Sequence, residues 1–278
     1  MKKAVRILIF VITVGLIMGL QHTINGISRY RVPGSSIIYI PSGKHLKLAS
    51  FGYSALMADL IYLWAIQYFS NQNIWDRFEN LEHVFSIISE LDPQYYDPYD
   101  TGSLIAYYDA KDLELAFRIL DLGMEKNPNQ WIFPLQAGHY AQMFARDYTR
   151  AEKYYKKAMT IKGSPPITRR LYANAVFEQS DYQTAWHNWL EVYETTDDER
   201  VKKIASNHLY RTKAAIDIQT LHQAIARYRE RHGRFPRKLS DLVRTGFLRS
   251  VPKDLDEKDY VYDDQTGKVQ TRVNPWKR

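Results

Sequence analysis

Few residues of this 278-residue chain stand at spacings that support catalysis or metal binding. The eight histidines are scattered, and none forms the i, i+4 pair or the HExxH motif with which a helix binds zinc. The chain has no cysteine, which excludes disulfides, thiolate nucleophiles and zinc–sulfur sites. It also has no GxSxG, Walker A or GxGxxG motif. We therefore expect a non-catalytic protein with no cofactor and no metal site.

Charge is distributed unevenly along the chain, which carries a formal net charge of +7. Residues 76–125 are rich in Asp and Glu, whereas residues 200–253 are rich in Arg and Lys. The basic part indicates either attraction to acidic proteins and anionic lipid, or a solvated helix face. We expect no nucleic-acid binding, because no nucleic-acid-binding motif accompanies the charge. The hydrophobic content of 45% predicts a packed core rather than disorder.

Residues 1–28 have the composition of a membrane anchor. Three basic residues precede an uncharged, mostly apolar run over residues 7–28, close to the roughly 20 residues that cross a bilayer. The basic flank predicts a single-pass inner-membrane protein with a cytoplasmic N-terminus and its bulk in the periplasm. A cleavable signal peptide is the alternative. Gly15 and Gly19 form a GxxxG pair through which two such helices could associate as a homodimer.

A second apolar stretch follows over residues 51–69. It is preceded by residues 29–50, whose Pro and Gly content predicts an extended linker. Asp59 lies near the centre of the apolar stretch, and a carboxylate in lipid is costly unless it is paired. We therefore interpret residues 51–69 as a core helix under the domain that follows, with a membrane hairpin as the alternative.

A local pattern recurs in the middle of the chain at intervals of 35, 35 and 34 residues. An anchor residue is followed four positions later by a large apolar residue on the same helix face. The anchors are Leu81, Ala116, Ala151 and Ala185, and the residues at plus four are Phe85, Leu120, Tyr155 and Trp189. Asp112, Asp147 and Asp181 precede the last three anchors and predict helix N-caps. Each occurrence is therefore the second helix of a predicted hairpin, whose first helices lie near residues 60–69, 99–108, 131–144 and 168–179.

In its period and in these positions the chain resembles the tetratricopeptide repeat (TPR) family, which has a 34-residue repeat. The best matching stretch, residues 129–159, contains Trp131, Gly138, Ala151, Tyr155 and Ala158. The resemblance implies a mainly α fold, with a TPR-like α-solenoid of helical hairpins over residues 51–200 and a concave groove that binds a protein partner. The residues expected to line this groove are Tyr99, Tyr107, Trp131, Gln136, Tyr140, Tyr172 and Asn174.

After the repeats, apolar residues at helical spacing predict a long helix from about Glu199, with residues 201–232 as its capping part. Residues 233–278 predict a small α+β module that ends in a β-hairpin around the turn DDQTG. This module resembles the soluble part of major type II secretion pseudopilins. The matching residues are Tyr228, Gly233, Pro236, Leu239, Leu242, Gly246, Pro252, Asp254, Tyr260, Tyr262 and Gly267.

The pseudopilin resemblance implies a folded cap or docking module rather than a fibre subunit, because the N-terminal segment lacks a prepilin peptidase site. In that family acidic loop residues can hold calcium. The corresponding aspartates are Asp254, Asp256, Asp259, Asp263 and Asp264, and lysines at positions 253 and 258 interrupt them.

These features predict a membrane-anchored TPR scaffold or adaptor that binds partner proteins and supports assembly of a membrane or envelope complex. One alternative is a permanent structural subunit of a secretion or pilus-like machine, built in through residues 218–273. Another is an envelope enzyme with an unrecognised site.

Overall fold

The computed structural model describes residue 10 and residues 12–21 and 40–273. This part of the chain is mainly helical and ends in one small antiparallel sheet, as predicted. It divides into two compact units, Met1–Ile119 and Leu120–Arg278, which are described separately. The remainder of the predicted anchor and most of the predicted linker lie outside the described residues.

The first unit consists of helices and their connections. Its elements are α1 (residues 10 and 12–21), α2 (Gly43–Ala49), α3 (Ser54–Ser70), α4 (Leu81–Leu91) and α5 (Asp97–Leu104), which continues into a π-helical turn (Ile105–Asp109). Helix α6 (Leu113–Lys126) crosses the boundary between the units. The described side chains of α1 are exposed, including those around Gly15 and Gly19. None of the helices described in residue 10 and residues 12–21 and 40–273 combines the length and apolarity needed to cross a bilayer.

Helices α2 and α3 both pack on α4. Helix α2 differs from the extended linker predicted over residues 29–50. Its first residue, Gly43, approaches α4 so closely that a Cβ there would lie 2.7 Å from the Cβ of Glu90 and 2.8 Å from the carbonyl oxygen of Ile87. The missing side chain therefore allows a short helix to pack where the Pro and Gly content predicted extended chain.

Helix α3 carries large apolar side chains on both of its faces. One face is buried in the first unit, through Ala58, Tyr62, Ala65 and Phe69. The opposite face is exposed to solvent, and it includes Asp59. The interpretation of residues 51–69 as a core helix thus holds for one of its two faces.

The second unit continues the helical hairpins. Its elements are α7 (Ile132–Tyr140), which continues into a π-helical turn (Ala141–Ala145), α8 (Tyr148–Thr160), α9 (Ile167–Glu178), α10 (Tyr182–Thr195), α11 (Glu199–His232), α12 (Ser240–Arg244), β1 (Val261–Tyr262) and β2 (Val269–Gln270). From α7 to α11 each helix packs on the next one along the chain. The four first helices predicted from the repeat overlap α3, α5, α7 and α9. Helix α3 begins six residues earlier than predicted, and π-helical turns follow α5 and α7.

The repeated core positions are buried, as predicted. The anchors Leu81, Ala116, Ala151 and Ala185 are fully buried, and at plus four Phe85, Leu120, Tyr155 and Trp189 are at most 3% exposed. The absence of a side chain at Gly138 on α7 makes room for the buried ring of Tyr155 on α8. A Cβ on Gly138 would lie 2.6 Å from Cδ1 and Cε1 of Tyr155, so the ring occupies the space that a side chain would need.

The three predicted aspartate N-caps are confirmed. The Oδ1 atoms of Asp112, Asp147 and Asp181 accept hydrogen bonds from the backbone N–H groups of Leu115, Arg150 and Thr184, at 2.8, 2.8 and 3.1 Å. The residue before each aspartate has left-handed backbone geometry, although none of the three is glycine. They are Lys111 (φ 60°), Arg146 (φ 53°) and Ser180 (φ 65°). This left-handed residue turns the chain between the two helices of a hairpin.

The long helix α11 begins at Glu199 and ends at His232, as predicted. Asp198 caps its start, and Gly233 ends it with a φ of 69°. Its first half packs with Trp189 of α10, and its second half forms a separate core with residues such as Leu242 of α12. The predicted β-hairpin is confirmed, because β1 and β2 pair antiparallel through Val261–Gln270 and Tyr262–Val269.

Candidate partner-binding surface

Three of the predicted groove residues lie in the interior of the chain. Tyr99 on α5 is 2% exposed, Tyr140 on α7 is 3% exposed and Tyr172 on α9 is 7% exposed. Burial raises the pKa of Tyr172, and the charges of Glu152 and Asp181 raise it further. The described chain itself therefore packs against most of the surface of these three rings.

The other predicted groove residues are partly exposed. Tyr107 lies in the π-helical turn of the first unit and packs edge-on against Tyr108, with ring centroids 4.6 Å apart. In the second unit Trp131 precedes α7, Gln136 lies on α7 and Asn174 lies on α9. Partner binding by these side chains stays a prediction.

The structure brings two of the predicted residues of the second unit together. The amide Nε2 of Gln136 donates to the hydroxyl of Tyr140 over 3.4 Å, one turn further along α7. The hydroxyl of Tyr140 is therefore contacted by a half-buried amide at the protein surface.

A cleft of about 480 Å³ lies in the second unit where α9 begins, α10 ends and α11 begins. It is lined by Pro166, Arg169, Arg170, Val192, Thr195, Thr196, Asp197, Asp198 and Val201. None of these residues was predicted as a binding residue. The adjacent arginines were visible in the sequence, but the pairing of α9 with the start of α11 was not.

The cleft is lined by apolar side chains and by charged side chains of both signs, two arginines and two aspartates. Arg169 forms an ion pair with Glu191 of α10, and Arg170 beside it is partly exposed. Val192 and Val201 contribute apolar surface. A guanidinium group binds carboxylates through directed N–H donors, so this arrangement suits a peptide with an acidic side chain next to an apolar one.

One wall of the cleft is fixed by a helix cap. Oδ1 of Asp198 accepts hydrogen bonds from the backbone N–H groups of Arg200, at 2.8 Å, and Val201, at 3.4 Å. The backbone N–H of Asp198 in turn donates to Oγ1 of Thr196 at 3.3 Å. The connection between α10 and α11 is therefore held by its own side chains.

The aspartates of the C-terminal module are engaged within the protein. Oδ1 of Asp254 accepts the backbone N–H groups of Asp256 and Lys258, each at 2.9 Å, and its Oδ2 accepts the hydroxyl of Tyr210 at 2.6 Å. Burial alone would raise the pKa of Asp254, but these hydrogen bonds outweigh it and hold the pKa below its usual value. Among the residues that the structure describes, no three His, Asp or Glu side chains are grouped as a metal site would require.

A second buried contact joins the module to α11. The hydroxyl of Tyr260 donates to Oδ2 of Asp217 at 2.7 Å, and Lys213 forms an ion pair with the same carboxylate. Burial, followed by this hydrogen bond, raises the pKa of Tyr260. Together with the contact between Tyr210 and Asp254, it fixes the module on the long helix. In these residues the polar chemistry serves packing between elements.

No protein-family profile matches this chain, and no curated protein matches it.

Proposed function

We propose that this protein is a membrane-anchored helical-repeat scaffold of the TPR type, which binds partner proteins and supports assembly of a membrane or envelope complex. The observation that carries the proposal is the consecutive packing of helices α7 to α11, each on its neighbour. Such packing uses one face of each helix for its neighbours and leaves other faces for partners. The same buried anchors and aspartate caps recur at the repeat interval.

Within this scaffold, the cleft at the start of α9 is the binding surface that the geometry favours. Arg170 supplies a positive charge at the cleft, and Val192 and Val201 supply apolar area beside it. A partner segment with alternating acidic and apolar side chains fits this chemistry. Tyr107, Trp131, Gln136 and Asn174 remain proposed contacts on the first helices of the hairpins or directly beside them.

The C-terminal module acts in this proposal as a folded cap and docking module of the pseudopilin type. Its buried Tyr–Asp contacts with α11 support a fixed structural role. The basic residues before the apolar run of residues 7–28 favour a cytoplasmic N-terminus and a periplasmic position for the repeats.

The test is a mild-detergent purification of the full chain from its native membrane, with identification of copurifying proteins. The wild type is compared with Arg170→Glu, and Lys156→Glu serves as the control because it also reverses a positive charge, at an exposed site of α8 outside the cleft and outside the C-terminal module. We expect partners that Arg170→Glu loses, that Lys156→Glu keeps and that high salt releases.

Other outcomes separate the alternatives. Stoichiometric partners that resist salt and both substitutions would indicate a permanent subunit of a machine. If neither variant nor the wild type retains a partner, the scaffold proposal is refuted.

A further inference from the structure

The exposed face of helix α3 is mostly apolar apart from Asp59, which is unusual for a helix whose other face is already buried. Leu56, Leu60 and Leu63 follow one another at intervals of four and three residues and therefore lie on one side of the helix. Their side chains are 56%, 55% and 57% exposed. Single exposed leucines are ordinary, but a row of them on a two-sided apolar helix marks an interaction surface.

Large exposed apolar residues also precede this helix. Phe51 is 90% exposed and Tyr53 is 72% exposed, in the connection between α2 and α3. Lys44 and Lys47 are exposed on α2, immediately before them. We call Phe51, Tyr53, Leu56, Leu60 and Leu63 the α3 face.

We propose that the α3 face lies on the surface of an anionic lipid bilayer, next to the membrane anchor. Leucine and aromatic side chains enter the boundary between headgroups and acyl chains, while neighbouring lysines bind anionic headgroups. Helix α3 fits a position on the bilayer rather than across it. Its 17 residues are few for a span, Asp59 is charged, and its opposite face, which includes Tyr62, is buried within the protein.

The position of the α3 face in the chain favours lipid as the occupant. Only residues 29–42 separate α2 from the proposed anchor, and even fully extended they reach about 50 Å. This short connection holds the face near the bilayer at a high effective concentration. The argument from tethering rests on the anchor in the proposed function.

The chain's own apolar helix α1 is a rival occupant. The structure contains α1 and the α3 face within the same unit, and in it the leucines of both are exposed. Helix α1 therefore does not cover the α3 face. A second copy of the chain is the other rival, and the experiment distinguishes it.

The chain contains no cysteine, so a single introduced thiol can be labelled specifically. The full chain carrying Leu60→Cys or Leu63→Cys is labelled with an environment-sensitive fluorophore and reconstituted into phosphatidylglycerol vesicles that contain lipid with a quencher on its acyl chains. Gln94→Cys is the matched control, since Gln94 is an exposed polar residue of the same unit. Circular dichroism verifies that each variant is folded.

We expect at least twofold quenching at positions 60 and 63 and none at position 94. The additional charge reversals Lys44→Glu and Lys47→Glu should weaken the quenching in anionic vesicles but not in neutral ones. The proposal is overturned if the fluorophore is shielded without lipid quenching and two unlabelled copies of the Leu60→Cys variant form a disulfide crosslink. That result would show that a second copy covers the face. Equal, water-like emission at all three positions would also overturn it.

The anchor is measured separately, by extraction of the same vesicles with alkaline carbonate. A chain that resists extraction but shows no quenching refutes the lipid contact and leaves the anchor intact. A chain that is quenched but extracted refutes the anchor and leaves the lipid contact of the α3 face supported.

Discussion

The substitution Gly138→Ala tests whether helices α7 and α8 approach as closely as the repeat requires. Alanine is better than glycine in a helix by about 1 kcal/mol, which alone would make the variant more stable. The new Cβ, however, would lie 2.6 Å from two carbon atoms of Tyr155, whose ring is fully buried. Carbon atoms attract each other best at about 3.5–4.0 Å, so this overlap forces the helices apart.

Overpacking of this kind costs about 1–3 kcal/mol, and the severity of the overlap places Gly138→Ala near the upper end. After the gain in helix propensity, we expect the free energy of unfolding to fall by about 1–2 kcal/mol. Gly123→Ala is the matched control in the same unit, because its Cβ would meet the ring of Phe133 at 3.1 Å, a milder contact. We expect it to change stability by less than about 0.5 kcal/mol, since propensity offsets the contact.

The measurement is denaturant unfolding of the full chain in mild detergent, followed by far-ultraviolet circular dichroism. The double variant Gly138→Ala with Tyr155→Leu should be more stable than the sum of the two single changes predicts, because the smaller side chain removes the overlap. The reasoning is refuted if Gly138→Ala is as stable as Gly123→Ala, or if the two substitutions at positions 138 and 155 are additive.

Three further predictions concern the second unit. Arg146→Gly should raise stability by about 0.5–1 kcal/mol, because glycine relieves the left-handed strain at φ 53°. The control Lys153→Gly, on the exposed side of α8, should lower stability by about 1 kcal/mol. Both variants are measured by thermal unfolding. Tyr155→Phe should be neutral or stabilising by about 1 kcal/mol, since the buried hydroxyl has no hydrogen-bond partner among the described residues; a loss of more than that on denaturant unfolding would contradict it. Burial beside Trp189, and then the charge of Arg211, lower the pKa of His208 to about 4. The folded state therefore binds fewer protons than the unfolded state, and the free energy of unfolding should be about 1–2 kcal/mol lower at pH 5 than above about pH 6.5. In His208→Phe, unfolding measured against pH should lose this component.

The repeat positions could be predicted because each follows from a local rule. An aspartate before an apolar helix face is a good acceptor for the first free N–H groups, and Asp112, Asp147 and Asp181 all serve this role. A small residue at the anchor allows another helix to approach, and Ala151 and Ala185 are fully buried accordingly. Neither inference requires knowledge of the neighbouring helix.

The features that escaped prediction depend on partners distant in the chain. The left-handed residues Lys111, Arg146 and Ser180 carry no glycine signal, because the helices on either side impose their conformation. The periodicity of α3 identifies an apolar helix but not which face finds a neighbour. The cleft lined by Arg170 requires the packing of α9, α10 and α11, which the sequence does not reveal.

The long helix α11 has a mechanical consequence. Its 34 residues span about 51 Å, and its two halves belong to different cores, one around Trp189 and one around Leu242. A continuous helix resists bending, so a rotation at one end of α11 displaces its other end. A tilt of about 5° at the cleft end would displace the far end by about 4 Å over this length. If a partner binds at the start of α11, as proposed, the β-hairpin packed on the far half of this helix would therefore move.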